Sequence, residues 1–106
     1  MSLDAIDPVL TAPKRLAALG VLANSSHTEF AFLRAHLDLS DSDLSKQMSA
    51  LADADYLTVK KTGRGRERQT WFRITKLGRL ALVAHVHALR ALVDSAPAAP
   101  DLIEAE

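Results

Sequence analysis

Apolar positions in the first half of the chain follow a helical period that short polar segments interrupt. Their spacing of three and four residues predicts three helices. The stripes are Leu16, Leu19 and Ala23, then Phe30, Leu33 and Leu37, then Leu44, Met48 and Leu51. Pro13 suits the first turn of the first helix, where its missing N–H has no helical partner. Asn24-Ser25-Ser26 ends that helix, and a short extended piece from His27 to Glu29 follows.

The connection between the second and third predicted helices is short. Asp38 ends the second helix, and Ser40 is a suitable N-cap for the third, with Asp43 three residues on as a partial capping box. Two short helices joined by Asp38-Leu39-Ser40 are typical of a helix-turn-helix.

From Tyr56 onward the apolar period changes from about 3.6 residues to about two, which predicts strands. The positions that share one face are Leu57 and Val59 in the first strand, then Thr70, Phe72 and Ile74 in the second. Between the strands, Thr62 to Arg68 contains two glycines and three arginines and predicts an exposed hairpin tip. Thr75 then caps a last helix that runs to about Val93.

The last predicted helix is apolar on nearly every side. One stripe holds Leu77, Leu80, Ala81, Ala84, Ala88 and Leu92. We expect Leu77, Ala81 and Ala84 of this stripe to pack on the helix-turn-helix core. A small domain covers only one side of such a helix, so the other apolar positions predict a two-fold dimer. The predicted dimer interface consists of Leu82, Val86, Leu89 and Val93. The alternative is a monomer with an apolar surface helix.

Composition places the chain among soluble globular proteins of one domain. Its 106 residues are 48% hydrophobic and 25% charged. There is no cysteine, which excludes disulfides and thiolate chemistry. The sequence shows neither a signal peptide nor an apolar run long enough to span a membrane, so we expect a cytoplasmic protein that does not associate with membranes.

Charge is distributed unevenly along the chain although the formal net charge is zero. Residues 59–79 contain eight basic side chains and one acidic side chain, a net charge of +7. The rest of the chain carries five basic and twelve acidic side chains, a net charge of −7. A localised basic segment is typical of phosphate binding. The alternative is a solvated basic hairpin without a partner.

This order of elements resembles the winged-helix regulators of the MarR and ArsR type, over about Pro13 to Leu92. The resemblance lies in F-A-F-L-R-A-H-L-D-L-S-D-S-D-L-S-K-Q-M, A-D-Y-L-T-V-K-K and F-R-I-T-K-L-G-R. It implies a mostly helical α+β fold: one winged helix-turn-helix domain over residues 1–94, with a β-hairpin wing and a long C-terminal dimerisation helix. Residues 95–106 would be a flexible tail. Asp38 and Asp55 stand where such proteins usually have glycine, and aspartate tolerates a left-handed backbone better than most residues.

The resemblance implies that the helix over about 41–54 enters the major groove of double-stranded DNA. Because the core positions of this helix are excluded, the predicted contact set is Ser42, Asp43, Ser45, Lys46, Gln47 and Ser49. For Asp41 and Asp43 we favour a different role, that of complementing the helix N-terminus, since phosphates repel carboxylates.

The hairpin over about 57–74 would then be the wing. Its predicted contacts with phosphates or the minor groove are Lys60, Lys61, Arg64, Arg66 and Arg68. Trp71 either packs at a subunit contact or is an exposed part of the wing.

No motif for catalysis, nucleotide binding or zinc binding is present, so we expect neither enzymatic activity nor a cofactor. His85 and His87 are two residues apart, which places them on different faces of a helix, and a structural role is favoured over metal binding. The favoured function is a dimeric, sequence-specific regulator of transcription, a repressor more readily than an activator. The alternative is a winged helix used for protein–protein assembly. An effector molecule stays an open question.

Overall fold

The structure, a computed structural model, describes residues 3–103. Within that range it contains α1 (Pro13–Ala23), β1 (Thr28–Glu29), α2 (Phe30–Leu37), α3 (Asp41–Asp53), β2 (Leu57–Thr62), β3 (Gln69–Ile74) and α4 (Lys76–Asp94). Short 3-10 turns lie at Leu3–Ala5 and Gly65–Glu67. This is the mostly helical α+β arrangement that the sequence predicts.

Local capping explains where the helices begin and end. The Ser40 hydroxyl accepts the amide of Asp43 at 3.1 Å, and the Thr75 hydroxyl accepts the amide of Gly78 at 2.9 Å. Each bond satisfies an N–H that has no partner inside its helix. Asp38 and Asp55 adopt left-handed backbones, with φ of 53° and 62°. These two turns therefore form without glycine, as expected.

The sheet is antiparallel and has the strand order β1-β3-β2. Thr28 lies opposite Phe72, and Leu57 lies opposite Ile74. Since side chains alternate across a strand, Leu57, Phe72 and Ile74 face the helices and are buried. The sheet thus attaches the wing firmly to the helix-turn-helix.

The core is formed by apolar side chains from all three helices of the first half and from the sheet. Leu19, Leu33, Leu44 and Leu51 are fully buried. Leu10, which precedes α1, is equally buried, although no periodic apolar pattern in that region predicts it. The segment before α1 is therefore part of the domain core.

The face of α4 that packs on the domain differs from our expectation. Leu77 is 51% exposed, and Ala84 is also exposed. The buried positions are instead Gly78, His85 and Ala88. A Cβ on Gly78 would lie 2.2 Å from the carbonyl oxygen of Tyr56, so glycine permits this close approach. The prediction was wrong for Leu77 and Ala84, whereas Ala81 does pack partly buried against the core. A helix that is apolar all round gives no periodic signal for its inner face.

Residues 96–103 are exposed and belong to neither a helix nor a strand. Positions 1–2 and 104–106, which our predicted domain and tail include, lie outside the described residues. Over residues 3–103, no helix has the length and apolar character needed to cross a membrane.

Candidate nucleic-acid interface

Helix α3 presents a polar face to solvent because its apolar stripe is anchored in the core. Leu44, Met48 and Leu51 are buried. Of the six residues predicted to contact DNA, four are exposed: Ser42, Ser45, Lys46 and Ser49. The other two, Asp43 and Gln47, are only partly exposed, and their side chains are engaged within the protein.

Asp43 lies between two helices. Its Oδ2 accepts from the Lys14 ammonium of α1 at 2.5 Å, and its Oδ1 accepts from Gln47 Nε2 at 2.8 Å. The bond from Lys14, followed by that from Gln47, lowers the pKa of the Asp43 carboxyl below its usual range. The carbonyl oxygen of the Gln47 side-chain amide in turn accepts from Arg15 at 3.5 Å. Both ends of the Gln47 side chain are therefore occupied.

Asp41 is engaged in a similar way. Its Oδ1 lies 2.7 Å from Nη1 of Arg34, a residue of α2. Both acids of the first turn of α3 thus pair with cations from other helices, in addition to lying where the helix dipole favours negative charge.

The tip of the wing is open to solvent. Gly63 and Gly65 have positive φ values of 74° and 56°, and a Cβ on Gly63 would lie 2.3 Å from the Glu67 carbonyl oxygen. Arg64, Arg66 and Arg68 are exposed. Within the described part of the chain, the side chains of these arginines form no ion pair. They are free to bind anions.

The strand pleat separates the two lysines of the wing. Lys61 lies on the face of β2 toward α3 and lines a shallow groove of about 270 Å³ between α3 and the sheet. The same groove is lined by Ser45 and Ser49. Lys60 lies opposite Trp71 in the strand register, on the other face of the sheet. The structure therefore brings Lys61, but not Lys60, together with the polar face of α3.

Two residues of this groove were missed by the sequence analysis. Thr70 and the 47%-exposed Val59 contribute to its floor and wall. The alternation of the two strands could have identified them. Leu57, Val59 and Lys61 share one face of β2, and Thr70 of β3 lies opposite Lys61 in the register. Along this face of β2, Leu57 is buried in the core, whereas Val59 and Lys61 line the open groove.

Trp71 is half-buried on the outer face of the sheet, and its indole N–H donates to the Thr62 hydroxyl at 3.1 Å. The bond joins the two strands at the base of the wing tip. This contact settles how Trp71 packs within the chain, and it leaves the role in a subunit contact untested.

The predicted dimer residues on α4 have different surroundings. Leu82 packs partly against the domain core, Val86 and Leu89 are half-buried, and Val93 is 76% exposed. Large apolar side chains that we did not assign to the interface are also exposed on α4: Leu77, Leu80 and Val83.

His85 has a structural contact. It is 1% exposed, and its Nδ1 accepts the amide of Asp7 at 3.0 Å. The Tyr56 hydroxyl donates to the Asp7 carboxylate, which raises the pKa of Tyr56 to about 12, with burial adding to the effect. Asp7 therefore ties α4 to the junction between α3 and β2. No group of three or more metal-ligating residues occurs among residues 3–103.

Several solved structures share this architecture. A transcriptional regulator homologue from Pyrococcus horikoshii OT3 superposes with a TM-score of 0.75 at 22% identity, over 82% of this chain and 86% of that one. The Mycobacterium tuberculosis transcriptional regulator MosR, solved in complex with DNA, gives a TM-score of 0.67 at 18% identity, over 87% and 65% of the two chains. The YusO protein of Bacillus subtilis gives 0.73 at 12% identity, over 88% and 65%. At these identities the likeness concerns the fold.

A family assignment comes from the sequence itself. No curated protein sequence matches the chain. The family model described as a winged helix DNA-binding domain, however, matches residues 14–93. That range covers α1 to α4 except Pro13, the first residue of α1, and Asp94, the last residue of α4, and so includes the polar face of α3 and the whole wing. The chain belongs to the winged helix DNA-binding domain family.

Proposed function

We propose that the protein is a sequence-specific transcriptional repressor that binds an inverted-repeat operator as a homodimer. The observation that carries this proposal is the groove between α3 and the sheet, where Ser45, Ser49 and Lys61 meet beside the exposed wing arginines. Serine and lysine bond both base edges and phosphates, and arginine is favoured at phosphates and in narrow minor grooves.

In this proposal α3 lies in the major groove with Ser42, Ser45, Lys46 and Ser49 as its contact set. Lys61 and the arginines of the wing bind the phosphate backbone or the adjacent minor groove. Repression follows if the bound protein excludes other proteins from the same stretch of DNA.

The dimer is supported by the unusual surface of α4. Leu80 is 60% exposed and Val83 is 69% exposed, on a helix whose opposite face packs on the domain. Contiguous exposed apolar surface typically marks an interaction site. We propose that two copies pack through α4. Leu80 and Val83 lie in the contact, and Val86, Leu89 and Val93 lie at its margin.

A two-fold dimer presents two equivalent recognition helices and therefore selects an inverted repeat. Half-sites in successive major grooves are spaced about 34–36 Å apart, which corresponds to about 10–10.5 base pairs. Selection of binding sites from a random duplex library tests this. The expected product is an inverted repeat with that spacing. Enrichment of single half-sites would reject binding of the operator by a dimer.

Fluorescence anisotropy with labelled random duplex DNA, at several salt concentrations, tests DNA binding directly. We expect affinity that falls steeply as salt rises, since bound cations release counterions from DNA. Absence of binding at low salt would overturn the proposal and favour protein–protein assembly through the wing.

Light scattering on the wild type and on Val83→Glu tests the oligomer. The wild type should scatter as a dimer at micromolar concentration, and the variant as a monomer, since a charge in a closed apolar contact is strongly unfavourable. Ala31→Glu, at an exposed position of α2 outside the proposed contact, is the control because it adds the same single negative charge. A monomeric wild type would contradict the dimer.

A further inference from the structure

The first turn of α3 carries two carboxylates on the side of the domain proposed to meet DNA, and the Asp43 carboxylate is held by a network. Lys14 reaches it from the first turn of α1, at a distance of 2.5 Å. Gln47, one turn further along α3, donates to its other oxygen at 2.8 Å. Arg15 bridges from Gln47 to the Val9 carbonyl oxygen, which it bonds at 2.6 Å.

The contacts remove two side chains from the potential interface. The Lys14 side chain is 52% exposed and next to the polar face of α3, so its ammonium would otherwise be a phosphate ligand. Gln47 would otherwise be suited to adenine, which glutamine binds through both ends of its amide. In this structure its amide nitrogen donates to Asp43 and its oxygen accepts from Arg15.

We propose that Asp43 restrains DNA binding: its carboxylate holds Lys14 away from the phosphates and holds Gln47 away from the bases. The inference rests on the proposed function, because it assumes that α3 faces DNA. It differs from the roles that the sequence alone suggested, which were direct contact for Gln47 and, for Asp43, either direct contact or the favoured role of complementing the helix N-terminus. Asp43 is thus a positioning residue, and overall affinity is lower than α1 and α3 could provide without it.

The geometry favours retention of the Lys14–Asp43 pair when DNA binds. The Asp43 side chain is only 27% exposed and is fixed on both oxygens. The lowered pKa of its carboxyl keeps it charged at neutral pH. A paired lysine adds no net cation at the interface, so Lys14 should not contribute to the release of counterions.

A double-mutant cycle on Lys14 and Asp43 tests the restraint through the slope of log K against log salt. Asp43→Asn keeps the shape and an acceptor for Gln47 but releases Lys14. The slope should then steepen by about 0.9, so that affinity falls about three- to fourfold more between 50 and 200 mM salt than it does in the wild type. Lys14→Ala alone should leave the slope unchanged, and Lys14→Ala with Asp43→Asn should restore the wild-type slope.

Asp53→Asn is the matched control, since it removes one negative charge from the exposed C-terminal end of the same helix. Its slope should equal that of the wild type. Thermal unfolding of each variant separates a loss of folding from a change in binding. Gln47→Ala should leave the ranking of DNA sequences unchanged, whereas Lys46→Ala should alter it.

The results that would reject restraint by Asp43 differ from the results that would reject the proposed function. If the wild type binds DNA but Asp43→Asn has the wild-type slope, the network serves only stability. If Lys14→Ala alone flattens the slope as much as it does in the Asp43→Asn background, Lys14 is an ordinary phosphate contact. Absence of DNA binding by the folded wild type would instead reject the proposed function itself.

Discussion

The recognition helix and the wing are adjacent but have opposite charge. Helix α3 contains three aspartates and one lysine, a net charge of −2, and two of the aspartates are paired within the protein. Residues 57–74 contain six basic residues and one acidic residue, a net charge of +5. The helix is anchored by three buried side chains, whereas the wing tip is exposed throughout.

This difference separates attraction from selection. In the proposed function, the wing supplies charge that acts on any duplex, while α3 supplies neutral hydroxyls and Lys46, whose contacts depend on the bases. We therefore expect substitutions in the two regions to change different quantities.

Leu51→Ala should destabilise the whole domain. Leu51 is fully buried in the last turns of α3, and truncation of a buried leucine costs about 2–5 kcal/mol because it also leaves a cavity. Denaturant unfolding measures the loss. Replacing Arg66 of the exposed tip with alanine is the control and should change the free energy of unfolding very little. Equal losses would mean that the wing is as structural as the helix.

The triple variant Arg64→Ala, Arg66→Ala, Arg68→Ala should weaken binding to all sequences alike. If each arginine binds one phosphate, the slope of log K against log salt should flatten by about 2.7 in total. Arg90→Ala, on α4, is the control for loss of positive charge. An unchanged slope in the triple variant would remove the wing tip from the mechanism.

Lys46→Ala should change the preference among sequences more than the affinity for random DNA. A good base contact is worth about 1–3 kcal/mol of discrimination. Competition between the selected operator and random duplex measures the ratio. Proportional loss against both would indicate that Lys46 binds a phosphate, and the division of labour between helix and wing would fail.

Raising the pH should loosen the junction between the two regions, where Tyr56 bonds Asp7. The folded-state pKa of Tyr56 is raised from 10.0 to about 12. The folded protein holds the Tyr56 hydroxyl proton more tightly than the unfolded chain does. The contribution of the Tyr56–Asp7 bond to the free energy of unfolding is therefore complete below pH 10 and declines as pH rises toward 12. Denaturant unfolding should show this decline in the wild type. In Tyr56→Phe the decline over that window should be smaller, and an identical decline would reject the Tyr56 contribution.

The sequence predicted those parts of the fold that depend on local signals. Pro13, Ser40 and Thr75 mark helix starts through backbone chemistry that acts over a few residues, and all three helices begin where expected. On α4, Leu77 and Ala84 were wrongly predicted to face the core and only Ala81 does so, because apolar residues surround this helix. The pairing of Lys14 with Asp43 spans 29 positions, and no local pattern encodes it.

The candidate site also combines features set by local signals with contacts between residues distant in the chain. The exposed serines of α3 and the arginines of the tip were predictable, because a core stripe and a hairpin determine which side chains face outward. The engagement of Gln47 was not, since it depends on how α1 crosses α3. Lys60 and Lys61 look equivalent in the sequence, and only the pleat of β2 assigns one of them to the groove.

The burial of Leu10 has a practical consequence for anyone who expresses this domain. The family match begins at residue 14, so a fragment trimmed to 14–93 would lack Leu10 and also Asp7, whose amide bonds His85 and whose carboxylate bonds Tyr56. The trimmed protein would expose the part of the apolar core that Leu10 covers, which favours aggregation and protease cleavage. A fragment that starts upstream of Asp7 should be soluble at concentrations where the shorter one precipitates.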